Sequence, residues 1–236
     1  MLLNFHTHHP RPGERYVRSL GLHPWHLNAE TLRQEMEGLK KQLLAKGDMT
    51  NAGKNYDMIG ECGLDKACAT PFSLQKEAFR LQLELAEELQ MPVVVHCVKA
   101  YNELFQMRIE SAWKQPWVLH GYTGSPQMTR QLRNAGLFFS FGRQLHQRKV
   151  QESLAFLAME AGTGPYSFFL ETDDDVLTTI EEVYNQAAHL LNLPRLHLEE
   201  AIQASYERLT KGNMPPPAYP AFRKLHTDTC SETETS

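Results

Sequence analysis

Six side chains able to ligate a metal ion stand at the ends of five separate apolar runs. They are His6 and His8 in LLNFHTH, Glu61 in MIGECGLD, His96 in PVVVHC, His120 in PWVLHG and Asp173 in FFLETD. Imidazole and carboxylate donors together suit Zn, Mn, Fe or Mg without choosing among them. His6 and His8 are two apart, so on an extended segment both point to the same side, and Asn4 joins them there. Taken alone, the His6/His8 pair could equally be inward polar groups satisfied by hydrogen bonds, and a lone histidine at a strand end is more often a hydrogen-bonded loop residue than a ligand. What argues for a shared site is the repetition of one placement along the chain. The charge balance points to a class of chemistry. Ionised Glu61 and Asp173 carry about −2 and two divalent ions about +4, leaving about +2 for a hydroxide and an anionic substrate group such as a phosphate ester. With one ion, hydrolysis of an amide or ester is open to the same residues.

These side chains meet only if their strands run the same way. Each ligand-bearing run is short, rich in Val, Ile, Leu or Phe, and bounded by Gly, Pro or a polar cluster, the pattern of a buried parallel strand. Strands are expected near 2–6, 17–22, 57–62, 92–97, 116–120, 137–142 and 166–171. Helical patterns fill 28–46, 72–90, 99–112, 126–135, 147–161, 176–192 and 196–210. Ser73 is placed to cap the second helix, whose Phe79, Leu83, Leu85, Ala86 and Leu89 make one apolar stripe. Asn28 opens the first helix, and Pro92 stops the chain before the His96 strand. Such alternation is α/β, a TIM-like (β/α) barrel in which right-handed crossovers bring every strand's carboxyl end to one face. About seven strands are expected where a closed barrel of this class has about eight. The stretch PRPGERY carries no helical stripe and leaves too little chain for a full crossover, so the first βα unit or two should be shortened and the barrel distorted.

At 236 residues, with 42% hydrophobic and 22% charged, the chain suits one soluble domain with its own core, expected over 1–212. The remainder, 213–236, is rich in Pro, then in Ser, Thr and Glu, and reads as a loosely docked tail. A formal charge of −4 argues against wrapping along duplex DNA or lying on an anionic membrane, although bound metal ions could still create a phosphate site. No apolar stretch approaches the roughly 20 residues of a membrane span, and the N-terminus runs straight into a strand and a His pair rather than a signal peptide. Cys62, Cys68, Cys97 and Cys230 show no paired spacing, which favours reduced thiols and a cytoplasmic location.

Taken together, Asn4-Phe5-His6-Thr7-His8, Gly21-Leu22-His23-Pro24, Gly60-Glu61-Cys62-Gly63-Leu64-Asp65, Val95-His96-Cys97, His120-Gly121-Tyr122-Thr123-Gly124 and Glu171-Thr172-Asp173 resemble the TatD family of metal-dependent hydrolases, within the amidohydrolase superfamily. The resemblance runs in the family's order over roughly 1–210. It implies a barrel with a two-metal centre, phosphodiester hydrolysis of the deoxyribonuclease type, and a monomer. By position, His6 and His8 would hold one ion, His96 and His120 the other, and Glu61 would bridge them. Asp173 would bind the first ion and orient or deprotonate the attacking water. His23 would contact the phosphate or fix its own loop, and Asp65 would support a ligand from behind.

Three departures from the family pattern bear on the reading. Asn4 stands where the family has Asp, which removes a negative charge and implies weaker binding of the first ion. Val98 stands where the family commonly has a phosphate-contacting Arg, so that contact is either lost or passes to Lys99, which offers no bidentate fork. Asp174 and Asp175 add carboxylates that would repel a polyanion unless they turn to solvent. The expected substrate is therefore a phosphodiester at a DNA end or in a short nucleotide, cleaved with two Mg, Mn or Zn ions. An amidohydrolase-like cleavage of a C–N or ester bond stays open, though no strand-end lysine is placed for carbamylation. A non-catalytic metal-binding relative also stays open.

Overall fold

The strands that carry the candidate ligands form because their residues are apolar on both faces and covered on both. In the computed structural model, which describes residues 1–45, 56–111, 113–162 and 165–211, the elements alternate as expected. They are β1 (Leu3–Asn4), β2 (Arg15–Tyr16), β3 (Ser19–Leu20), α1 (Leu32–Leu44), β4 (Met58–Asp65), α2 (Phe72–Leu89), β5 (Val93–Val98), α3 (Tyr101–Glu110), β6 (Trp117–Leu119), α4 (Pro126–Asn134), β7 (Leu137–Phe141), α5 (Arg148–Ala161), β8 (Phe168–Leu170), α6 (Ile180–Leu191) and α7 (Arg195–Thr210). Strands β3 to β8 lie in sequence order in one parallel sheet, and β1 pairs with β2 in parallel.

Two backbone bonds carry the curl of this sheet round to the chain's start. Phe5 N donates to Leu170 O at 2.8 Å, and Val17 N to Asn4 O at 3.2 Å. The strand expected at 17–22 begins earlier and is interrupted. Its first half, β2, pairs with β1 and its second half, β3, with β4. No helix separates β1 from β2, so the shortened first βα unit is present as expected. The tail 213–236 lies outside the described residues.

Between the helices and the sheet sit fully buried Phe79, Trp117, Phe139 and Phe168, while Phe169, next to Phe168 on β8, points to the other face and stacks on Phe5 at 4.5 Å. Helix α2 buries its expected stripe, but it starts at Phe72, so Ser73 lies inside the helix rather than capping it. Pro71 stands at the cap and fixes the entry angle instead. The same buried face presents two glutamines. Gln82 accepts from Leu22 N at 2.7 Å and donates to Leu22 O at 3.1 Å, and Gln75 does the same for Asp65 at 2.7 and 2.9 Å. Each amide satisfies backbone groups past the end of strand pairing, which would otherwise be costly to bury. Helix α2 thereby holds the chain just before His23 and at Asp65. No helix among the described residues is long and apolar enough to cross a membrane.

Candidate metal centre

Parallel strands deliver the six side chains to one face, and a local irregularity turns the central one inward. The β4–β5 register slips between Ile59 and Cys62, which gives β4 one extra residue there. Gly60 and Gly63 flank Glu61 with φ of 139° and 147°, and a Cβ on Gly63 would lie 2.0 Å from His96 O. Only glycine tolerates both the angle and the approach.

Glu61, with its side chain 7% exposed, is contacted on both oxygens. His6 Nε2 and His8 Nε2 each lie 2.9 Å from Oε1. His120 Nε2 lies 2.6 Å from Oε2 and His96 Nδ1 3.6 Å from it. Asp173 Oδ1 stands 3.7 and 3.6 Å from His6 and His8. The structure thus gathers all six predicted side chains into one cluster, with the two histidine pairs divided between the two oxygens. The donor chemistry fits divalent cations. His6 Nε2 is buried and makes no hydrogen bond despite its approach to Glu61, as expected of two lone pairs facing a shared ion. Donors from His6, His8 and Glu61, or from His6, His120 and Asp173, lie close enough to share one ion.

Hydrogen bonds assign two tautomers. Asp65 Oδ2 stands 3.2 Å from His96 Nε2, so a neutral His96 keeps its proton there and turns the Nδ1 lone pair into the cluster. Trp25 N donates to His23 Nδ1 at 3.2 Å, which leaves the His23 proton on Nε2, 3.7 Å from Glu61 Oε2. His23, Glu61 and His96 could also group round an ion, but this tautomer makes His23 a donor rather than a ligand. Burial holds the His23 imidazole down at about 4, so near neutrality it would meet a phosphate oxygen as an uncharged N–H donor.

The remaining electrostatics describe a carboxylate packed among imidazoles. Burial opposes ionisation of Glu61, but the imidazoles packed round it, His120 foremost, hold its carboxyl far below the usual range. The same contact raises His8. Burial works against charging His96, yet Glu61 and Asp65 outweigh it and raise that imidazole too. Glu171, fully buried, takes the Gly121 N–H at 2.6 Å, and burial together with the neighbouring Asp173 carboxylate pushes it up to about 8.

The segment carrying Asp173 is zipped onto the His-x-His segment. Thr172 N and Asp173 N donate to His6 O at 3.2 and 2.9 Å, and His8 N donates to Asp173 O at 2.9 Å. Asp173 adopts φ 52°, an uncommon conformation for a non-glycine that aims the carboxylate back at the histidines. Asn4 locks this arrangement from beneath. Its Oδ1 accepts from Thr172 N at 3.1 Å, and its Nδ2 donates to Thr172 Oγ1 at 2.8 Å and to Glu14 Oε1 at 3.0 Å. Asn4 therefore faces Thr172 and Glu14 with its polar atoms. A carboxylate sits next to this position after all, on Glu14.

Lys99 is exposed, with φ 55°, and pairs with no carboxylate among the described residues. It is not drawn into the cluster. Asp174 turns outward to Arg143 at 3.3 Å, and Asp175 caps the following turn through Leu177 N and Thr178 N. Neither carboxylate faces the cluster.

The profile described as TatD related DNase matches residues 11–211. The chain belongs to this family. The TatD match begins after His6 and His8, whose place in the cluster rests on the geometry above. The chain is 31% identical over 154 residues to the 3'-5' ssDNA/RNA exonuclease TatD of Citrobacter koseri, covering 57% of this chain and 54% of that protein. It is 29% identical over 132 residues to Deoxyribonuclease Tat-D of Schizosaccharomyces pombe, covering 53% and 42%. The chain spans about half the length of the curated relatives it matches. Its fold is similar to that of YJJV, a TatD homologue from Escherichia coli K12, with a TM-score of 0.65 at 21% identity over 85% of this chain and 78% of that one. TatD membership and this fold agree with the resemblance carried by the motifs. The clamp of Asn4 on Thr172 and Glu14, the fully buried carboxyl of Glu171, and Trp25 beside His96 were not foreseen. The clamp had a signal in Asn4 itself, whose amide offers both a donor and an acceptor where Asp offers acceptors alone.

Proposed function

We propose that this chain is a metal-dependent phosphodiesterase that cleaves DNA or RNA at strand ends or in short nucleotides, using two divalent ions bridged by Glu61. The observation that carries the reading is the division of the histidines, His6 and His8 on one Glu61 oxygen and His120 with His96 on the other. The names of the TatD relatives, exonuclease and deoxyribonuclease, support the same substrate class. In this reading the ions supply Lewis-acid charge that activates a water and offsets the phosphate. Asp173, the cluster's more open carboxylate at 18% side-chain exposure, would orient such a water and take its proton. His23 donates its Nε2–H to a non-bridging phosphate oxygen. Asp65 fixes His96, and Asn4 fixes the backbone that presents Asp173. Lys99 is left as a contact to an outer phosphate at most. Divalent Mg, Mn and Zn all suit the donors, and the free Cys62, Cys68 and Cys97 fit a reducing cytoplasm.

The test is hydrolysis of a single-stranded oligonucleotide with and without chelator. Activity should vanish with chelator and return with Mn or Zn. His120→Ala and Glu61→Ala should each abolish it while far-UV dichroism stays unchanged. Full turnover in either variant contradicts the assigned roles.

A further inference from the structure

Trp25 lies beside the cluster and offers no metal ligand. It sits on the short 3-10 turn Pro24–His26, directly after His23, with Pro24 buried beneath it. Its indole Nε1–H donates to Asp65 Oδ2 at 2.6 Å, the same oxygen that meets His96. The ring stands edge-on to His23 at 4.9 Å and to His96 at 5.8 Å between centroids. One edge of the indole is therefore fixed by a charge-assisted hydrogen bond and two imidazoles, yet the residue is 56% exposed. A large aromatic that is both rigid and open loses little conformational entropy when something lies on its face.

The surroundings say what that something is. The chain carries a net charge of −4, so long-range attraction contributes little to holding a polyanion. Val98 and the outward Lys99 offer no guanidinium fork to a phosphate. A nucleotide whose phosphate lies in the cluster would place its own base within reach of a ring that contacts His96. A paired base inside a duplex cannot offer its face there, whereas an unpaired terminal base can.

We propose that Trp25 is a stacking platform for the nucleobase of the nucleotide at the scissile phosphodiester. This rests on the phosphodiesterase reading above. Sequence preference among the four bases should be weak, because every base has a π-face. Trp25 is a substrate-contact residue in this account, and through Asp65 it is also a positioning residue for His96.

The experiment separates those two roles and separates both from the hydrolytic reading. Metal-loaded protein is given two oligonucleotides of one sequence, one ending in an ordinary nucleotide and one ending in an abasic residue. The wild type should prefer the base-bearing end by about tenfold in kcat/KM, the size expected for one stacked base. Trp25→Phe keeps an aromatic face and loses the N–H, so it should slow both substrates and keep most of the preference. Trp25→Gln keeps a donor for Asp65 and loses the face, so the preference should collapse towards one, mainly through KM. An unchanged preference in Trp25→Gln, or none in the wild type, overturns the platform. Binding is read independently by quenching of tryptophan emission with a nucleoside monophosphate and with ribose 5-phosphate on metal-loaded protein. Quenching by the nucleotide alone, absent in Trp25→Gln, supports the platform even if neither oligonucleotide is cleaved, which would refute only the hydrolytic reading. Cleavage of both oligonucleotides at equal rates with no quenching leaves that reading standing and removes the platform.

Discussion

Asn4→Asp restores the residue the family pattern carries, and the structure predicts that it harms this chain. The change is isosteric, so its effect is electrical. Asn4 Nδ2 donates to Glu14 Oε1 at 3.0 Å and to Thr172 Oγ1 at 2.8 Å, and a carboxylate can do neither. The Thr172 hydroxyl can turn and donate instead, so that contact survives. The Glu14 contact becomes two carboxylates at hydrogen-bond distance, and Glu14, half-buried, must swing out. Doing so it also abandons Arg11 N, which lies 2.9 Å from its second oxygen. Two hydrogen bonds to a charged acceptor are lost at about 1.5–3 kcal/mol each, against a strengthened bond from Thr172 N, for a net cost of about 2–3 kcal/mol. Urea denaturation of metal-free wild type, Asn4→Asp, Glu14→Gln and the double variant measures this as a thermodynamic cycle. In the double variant the new amide at position 14 donates to the new carboxylate at position 4, reversing the polarity of the wild-type bond, so a favourable coupling of about 2 kcal/mol is expected. Metal affinity should not rise in Asn4→Asp, because the side chain points away from the ligand atoms. A variant as stable as wild type, or a coupling near zero, would refute the clamp.

Three further outcomes follow from the same geometry. Asp65→Asn weakens the acceptor behind His96 and should lower affinity for the second ion by roughly 10–100-fold, read by competition with a chromogenic chelator. Gly63→Ala forces a Cβ onto His96 O and a side chain into a positive φ, and should cost at least about 3 kcal/mol in thermal melts or prevent soluble folding. Glu171 has its carboxyl raised from an ordinary 4.5 to about 8 in the folded chain, so the unfolded chain releases its proton first. Its contribution is fully present below about 4.5 and is lost as pH rises towards about 8, so metal-free wild type should lose stability across that window and Glu171→Gln should flatten the slope.

The parallel sheet and the six clustered side chains were legible because they rest on local signals. An apolar run of strand length ends in a ligand, and parallel strands have to bring such ends together. The missing first crossover was legible in the same way, from a stretch too short and too unpatterned to hold a helix. What lay outside local pattern was lost. Asn4 meets Thr172 across 168 positions, a contact made only when β8 closes against β1. Gln75 and Gln82 sit on the buried side of α2, where an apolar stripe gives no hint that strand ends need polar partners. Ser73 has the chemistry of a cap, but Pro71 sets the start of the helix two residues earlier. Lys99 stands exposed on a left-handed backbone outside the cluster, a placement that no local pattern announces.

The central claim is that Glu61 joins two ions, and metal stoichiometry tests it most directly. Protein stripped with chelator, reconstituted with Mn or Zn and desalted should retain about two ions per chain by mass spectrometry. Glu61→Gln should lose both. No bound ion in the wild type, or an undiminished complement in Glu61→Gln, would contradict the bridged centre.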